Sequence, residues 1–345
     1  MRNELLCSTA VSNSYANPVC FTGHSAGSGI DPYVTRRGTQ YQFFEPYGEY
    51  MAFFLAVANR KGGVGKSTVA VGLAHAAAVW GGKRVLVLDL DSQCNASLIL
   101  LGGQGWLAAK KGNRTISDYF FDMFDETAGA PRDYLVHGTG DVRDANGKPA
   151  RISLLPGSLM LEDVQGELYV KEARQAKDPD IVASRVKGRL LRLLRRFEPN
   201  YDLVILDCAP GLSFAALAAL KTADLVLVPF RPDYVSQLAV DRVALLIEEK
   251  RNIDDLREIE LDRRRYVCLA NGTRDNSRDR NIIDEIGLDH PMLDAQLPHN
   301  EGIANAFDWD ESPKRIDEKY GAGTSAIRAL YDEITPLMSQ RQAAE

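Results

Sequence analysis

Residues 61–68 read Lys-Gly-Gly-Val-Gly-Lys-Ser-Thr, a run of residue types suited to holding phosphate. Gly62, Gly63 and Gly65, with Val64 between them, let backbone N–H groups close around anionic oxygens. Lys66 supplies a charge for the β- and γ-phosphates and Ser67 a hydroxyl for Mg²⁺, with Thr68 completing the turn. An apolar run from Phe53 to Ala58 precedes this loop, and a helix-like stretch from Ser67 to Val79 follows it. A helix starting there turns its partial positive end toward the same anion. A glycine-rich turn without a ligand would need neither flank. In the ordinary Gly-x4-Gly-Lys-[Ser/Thr] pattern the first glycine would stand at position 60. Here that residue is Arg60, and a second lysine stands at 61.

That departure resembles the deviant Walker A motif of the ParA/MinD family of P-loop ATPases. The resemblance implies ATP and Mg²⁺ as ligands and a homodimer in which Lys61 reaches the partner subunit's nucleotide. Asp89-Leu-Asp91-Ser-Gln93 is similar to the family's Asp-x-Asp-x-Gln box, which implies that Asp91 positions the attacking water. Tyr201-Asp-Leu-Val-Ile-Leu-Asp207, followed by Cys208-Ala-Pro-Gly211, resembles Walker B and switch II, which makes Asp207 a metal ligand beside Ser67. Singly, an aspartate ending a strand is as readily a strand cap; three motifs in order argue against that. Leu225-Val-Leu-Val-Pro229 with Pro232-Asp-Tyr-Val-Ser-Gln-Leu238 looks like the family's next strand and loop. Tyr266-Val-Cys-Leu-Ala-Asn271 looks like the strand whose terminal asparagine, here Asn271, helps hold adenine. The likeness spans about residues 52–338 and loosens after 270.

These groups need a scaffold. Continuous apolar segments at 53–58, 85–90, 152–155, 203–206, 225–228 and 266–270 predict strands buried on both faces. Helical patterns separate most of them. The expectation is one α/β domain over 51–340, a doubly wound, mostly parallel sheet with helices on both faces. Loops at the carboxyl ends of the strands would then bring residues 61–68, Asp91 and Asp207 together.

Residues 1–50 are rich in Ser, Asn, Gly, Tyr and Pro and show no sustained periodicity or signal-peptide apolar core. They are expected to be a disordered extension, or Met51 the natural start. Gly102 to Lys148 reads as an insertion around Tyr119-Phe-Phe-Asp-Met-Phe124. The plainer expectation is a helical excursion covering its own hydrophobes at the sheet edge; the sharper is a partner- or cargo-specific surface. The five cysteines form no Cys-x-x-Cys pair, which predicts a reduced cytosolic chain with Cys94 and Cys208 inert. It also disfavours the iron–sulfur relatives that share this loop.

A formal net charge of −6 means that any contact with nucleic acid must use a local patch. Arg185, Arg189, Arg192 and Arg196 fall at helical spacings on one face, with Val186, Leu190, Leu193 and Phe197 on another. Arg263, Arg264, Arg265, Arg274, Arg278 and Arg280 are further basic positions. An ordinary solvated helix face is the alternative, but the resemblance implies non-specific DNA binding in the ATP state, doubled by symmetry. The last helix, with Asp332, Glu333 and Pro336, lacks the basic amphipathic character of a membrane anchor. The resemblance therefore implies a slow, partner-stimulated ATPase, nucleoid-associated in the cytoplasm. It would work with a ParB-like adaptor to partition a plasmid, a chromosome or another cargo. A DNA-independent nucleotide switch or metabolic ATPase of the same superfamily is the alternative.

Overall fold

The computed structural model describes residues 51–124, 130–144 and 146–343, so the expectation for residues 1–50 lies outside the described residues. The chain runs β1 Phe53–Val57, α1 Lys66–Val79, β2 Val85–Leu90, α2 Asn95–Lys111, α3 Ile116–Met123, β3 Val136–His137, β4 Val142–Arg143 and β5 Ile152–Leu155. It continues α4 Leu161–Ala173, α5 Pro179–Arg195, β6 Leu203–Cys208, α6 Phe214–Thr222, β7 Leu225–Phe230, α7 Ser236–Ile247 and α8 Ile253–Arg257. Last come β8 Tyr266–Thr273, α9 Ser277–Asp289, β9 Leu297–Pro298, α10 Glu301–Asn305, β10 Lys314–Arg315, α11 Ile316–Tyr320 and α12 Thr324–Gln342.

Eight strands form one sheet in the order β3-β5-β2-β6-β1-β7-β8-β9, parallel except for β3, which pairs antiparallel with β5. Every residue of β1, β2, β5, β6 and β7 is buried, as continuous apolar runs require when helices cover both faces. Alternate residues serve opposite cores. Phe54, Leu86, Leu88, Val204 and Leu206 face one core, with α3 to α7 and α9; Phe53, Leu55, Val85, Val87 and Ile205 face the other, with α1, α2, α11 and α12. The fold is the doubly wound α/β sheet that the apolar segments predict. β1 lies centrally, between β6 and β7, so its carboxyl end opens at the crevice where strand order reverses.

The described residues of 102–148 are built into this fold. Gly102, at φ +64, breaks α2, and a Cβ there would stand 2.7 Å from the Trp309 ring. Thr115 and Asp118 cap α3 reciprocally. Tyr119, Phe120, Met123 and Phe124 are then buried in the main core, each contributing about 1.5–3 kcal/mol, while Phe121 faces solvent. β4 pairs with β10, and the buried Asp141–Lys319 ion pair ties the segment to the C-terminal region. On α12, Ile327, Leu330 and Ile334 are buried in the α1-side core. Among the described residues no helix is long and apolar enough to cross a membrane.

Candidate functional site

The loop after β1 turns into α1 at Gly65, whose φ of +87 is the left-handed region that favours glycine. No side chain caps α1 and its first turn carries no acid, so the helix start presents its N–H groups and positive dipole end to the loop. Asn271, at the end of the β8 core, donates its amide to the Val64 carbonyl (2.7 Å). A Cβ on Gly65 would lie 2.2 Å from that amide nitrogen. That bond ties Asn271, the residue expected near adenine, to the phosphate-loop backbone.

Lys66 is buried at the foot of the loop, its Nζ 3.5 Å from the Lys61 carbonyl. Burial lowers its pKa, and the carboxylates of Asp207 and Asp91 oppose that shift. Those carboxylates arrive on neighbouring strands, since β2 pairs β6 in register with Asp89 opposite Asp207. Asp91 follows one step beyond β2 and accepts the Gln93 N–H (2.9 Å). Asp207 is fully buried, and no hydrogen bond of normal geometry reaches either of its carboxylate oxygens. Burial, then the neighbouring Asp89, hold its carboxyl well above the usual range; the Ser67 hydroxyl and Lys66 pull the other way. An orphaned, buried carboxylate beside a hydroxyl is a donor set that a hard divalent cation fits. Ser67 and Asp207 are the residues that would hold it.

Asp89 had no role in the sequence reading. Burial pushes its carboxyl up to about 6, although it accepts hydrogen bonds from the Ser97 N–H (2.8 Å) and hydroxyl (2.6 Å). Ser97 in turn accepts the Gly157 N–H (2.7 Å), so Asp89 ties the first turn of α2 to the loop after β5. Burial also pushes the Cys94 thiol up to about 12 and the Cys208 thiol higher still, which keeps both protonated and unreactive.

Lys61, expected to serve a partner subunit, is ion-paired with Asp233 of its own chain in the loop before α7. Pro232-Asp-Tyr was legible as the loop after a strand, but nothing in its pattern marked Asp233 as a partner for Lys61.

The arginine row runs along α5 to its C-cap, Arg196. Val186, Leu190, Leu193 and Phe197 are buried beneath it. Arg185, Arg189 and Arg192 line a groove of about 590 Å³, and Arg189, Arg192 and Arg196 line a second of about 420 Å³. The row is not purely solvated. Buried Glu172 pairs with Arg189 (3.1 Å) and Arg185 (4.0 Å), Arg189 stacks on Phe124 (4.8 Å), and Arg196 reaches the Met123 sulfur (3.3 Å). Glu172 sits on α4, distant in sequence, and no periodicity in α5 could reveal it. Of the further basic positions, Arg265 donates to the carbonyls of Leu220 (2.9 Å) and Ala223 (3.0 Å) and Arg264 is buried, so both brace the fold. Arg263 pairs with Glu260 (3.0 Å) and Arg280 with Asp275 (3.0 Å), while exposed Arg278 stacks on Tyr234 (4.7 Å).

Comparison with known proteins agrees with this fold. The chain is 27% identical over 294 residues to the chromosome partitioning protein ParA of Caulobacter vibrioides, covering 84% of this chain and 96% of that one. It superposes on a McdA–ATP complex from Cyanothece with a TM-score of 0.59 at 17% identity, covering 84% of this chain and 98% of that one. It superposes on the septum site-determining protein MinD of Pyrococcus horikoshii, complexed with Mg-ADP, with a TM-score of 0.55 at 19% identity, covering 84% and 99%. A family model described as an AAA domain (AAA_31) matches residues 53–261. The chain belongs to that family, as a P-loop ATPase of the ParA/MinD type.

Proposed function

We propose that this protein is an Mg²⁺-dependent ATPase that dimerises on ATP, retains DNA without sequence preference in that state, and releases it on hydrolysis. The observation that carries the reading is the convergence of the 61–68 loop, Lys66, Asp91 and the orphaned Asp207 at one edge of the sheet. Mg²⁺, when bound, neutralises charge on the β- and γ-phosphates. Residues 62–68 cradle the phosphates, Lys66 compensates their charge, and Ser67 and Asp207 fix the metal. Asp91, oriented by the Gln93 N–H, holds the attacking water, and Lys61 acts on the partner subunit's nucleotide. The relative named as a chromosome partitioning protein supports partition as the output. We extend this to a plasmid or another cargo, and to a ParB-like adaptor as stimulator.

The α5 arginines support DNA retention, since they outnumber Glu172, the buried acid that faces them. Glu172 also favours a second reading. If the row exists to satisfy that carboxylate, the protein is a DNA-independent nucleotide switch or metabolic ATPase. Retention of non-specific duplex DNA with ATP, with ADP and without nucleotide, at fixed salt, separates the two. ATP-dependent retention that Lys66→Ala abolishes and Arg192→Glu weakens at least tenfold, with hydrolysis intact, is the expected result. Arg192 is the informative position, because Arg189→Glu would set a second acid against buried Glu172. Retention that ignores nucleotide, or none, refutes the ATP-gated retention proposed here.

A further inference from the structure

Lys61 is the residue that this chain would give to a second copy, yet the structure shows it held at home. Its Nζ pairs with Asp233, and both ends of the pair are fastened. The Lys61 N–H donates to the Asn59 side chain (3.0 Å), and Asn59 donates to the Pro229 carbonyl (2.9 Å) at the end of β7. Asp233 accepts the Ser236 hydroxyl (2.9 Å) and the Val235 N–H (3.2 Å) at the start of α7. The Lys61 and Asp233 side chains remain 26% and 37% exposed, so the pair sits at the rim and can open without unfolding anything. Beside it Tyr234, Val235 and Leu238 are 82%, 58% and 52% exposed, an apolar strip on the same short segment. One surface thus combines a stored lysine, its acidic holder and uncovered apolar side chains.

We infer that Asp233 is a positioning residue that holds Lys61 in cis in the single protomer, and that a second copy of this chain receives Lys61 only when the Asp233 pair opens. The inference rests on the reading that Lys61 acts across a dimer. Phosphate charge on the partner competes with Asp233 for the ammonium, so assembly exchanges one ion pair for another. The latch sets how much nucleotide-loaded protein is needed before dimers form. It also keeps a bare protomer from presenting an unpaired lysine to any passing anion.

A half-exposed ion pair shifts an equilibrium by at most about fivefold, and two latches open per dimer. Asp233→Asn keeps an oxygen for Ser236 and Val235 but removes the charge. The full chain carrying Asp233→Asn is therefore expected to lower the dimer dissociation constant by up to ~25-fold, measured by sedimentation velocity with Mg·ATP and no DNA. ATP affinity, read at protein concentrations below dimerisation, stays unchanged, and Asp233→Glu dimerises as the unsubstituted chain does. The gain disappears in the Lys61→Ala, Asp233→Asn double variant, which behaves as Lys61→Ala alone. If Asp233→Asn dimerises no more readily than the unsubstituted chain, while Lys61→Ala still slows hydrolysis in the dimer, the latch is wrong and the trans role of Lys61 stands. If Lys61→Ala leaves hydrolysis in the dimer unchanged, the trans role itself fails and the inference falls with it.

Discussion

Replacing Asp207 by Asn tests whether this carboxylate is held in the fold against its own electrostatic preference. Asp207 is fully buried with no hydrogen bond of normal geometry to its oxygens, and Asp89 faces it across the strand pair. An uncompensated buried charge costs about 3–5 kcal/mol, and an unpartnered buried amide about 1–3 kcal/mol. The exchange should stabilise the ligand-free protein by about 2 kcal/mol, or roughly 4 °C in Tm for a domain of this size. The sign depends on pH. A raised native pKa means that native and unfolded Asp207 are both protonated below the ordinary carboxylate range, where the substitution gains nothing. The penalty on the native state develops as pH rises toward the raised value, and Asp89, pushed up to about 6, ionises in the same window. The gain should be absent near pH 4 and larger at pH 8, since it grows as pH rises above the ordinary carboxylate range. Ligand reverses the order: Mg·ADP at about 100 times its Kd should stabilise the unsubstituted protein by about 2.7 kcal/mol, and Asp207→Asn should lose the Mg²⁺-dependent part. Calorimetry at both pH values, with and without Mg·ADP, reads all four numbers. An Asp207→Asn variant no more stable than the unsubstituted protein at pH 8 would refute the reasoning, as would a gain equal at pH 4 and 8.

Gly65→Ala forces a side chain into the left-handed region and against the Asn271 amide, so nucleotide affinity should fall at least tenfold with a stability loss of about 1–3 kcal/mol. Fluorescent-nucleotide titration checks this, and an affinity within twofold of the unsubstituted protein would show that the loop tolerates the change. Asp141→Ala leaves Lys319 charged and unpaired in the interior and should cost about 3–5 kcal/mol in urea denaturation. A loss below about 1 kcal/mol would mean that the junction between β4 and β10 does not depend on that pair.

Much of the candidate site was legible because its residues are local in sequence. Three glycines and Lys66 act from one turn, and each of Asp91 and Asp207 ends its own apolar segment, so residue order alone places them at one edge of a parallel sheet. Asn271 shows where that reasoning thins: the strand was legible, but not that its amide donates to the Val64 carbonyl, more than two hundred positions away. The patch 119–124 was readable as a helix covering its own hydrophobes or as a partner surface; the capped α3 lays Tyr119, Phe120, Met123 and Phe124 against the sheet and leaves Phe121 exposed.

The sequence by itself determined the sheet, the glycine-rich loop and the acids that end its strands, since apolar runs and glycine spacing are written in consecutive residues. Only the tertiary structure decided which charges meet. It brought Asp233 to Lys61, Glu172 to the α5 arginines and Ser97 to Asp89, and it left Asp207 without a hydrogen-bonding partner of normal geometry. Helix periodicity arranges residues within one element. The partner of a charge is set by how distant elements pack, and one-dimensional spacing carries no record of that.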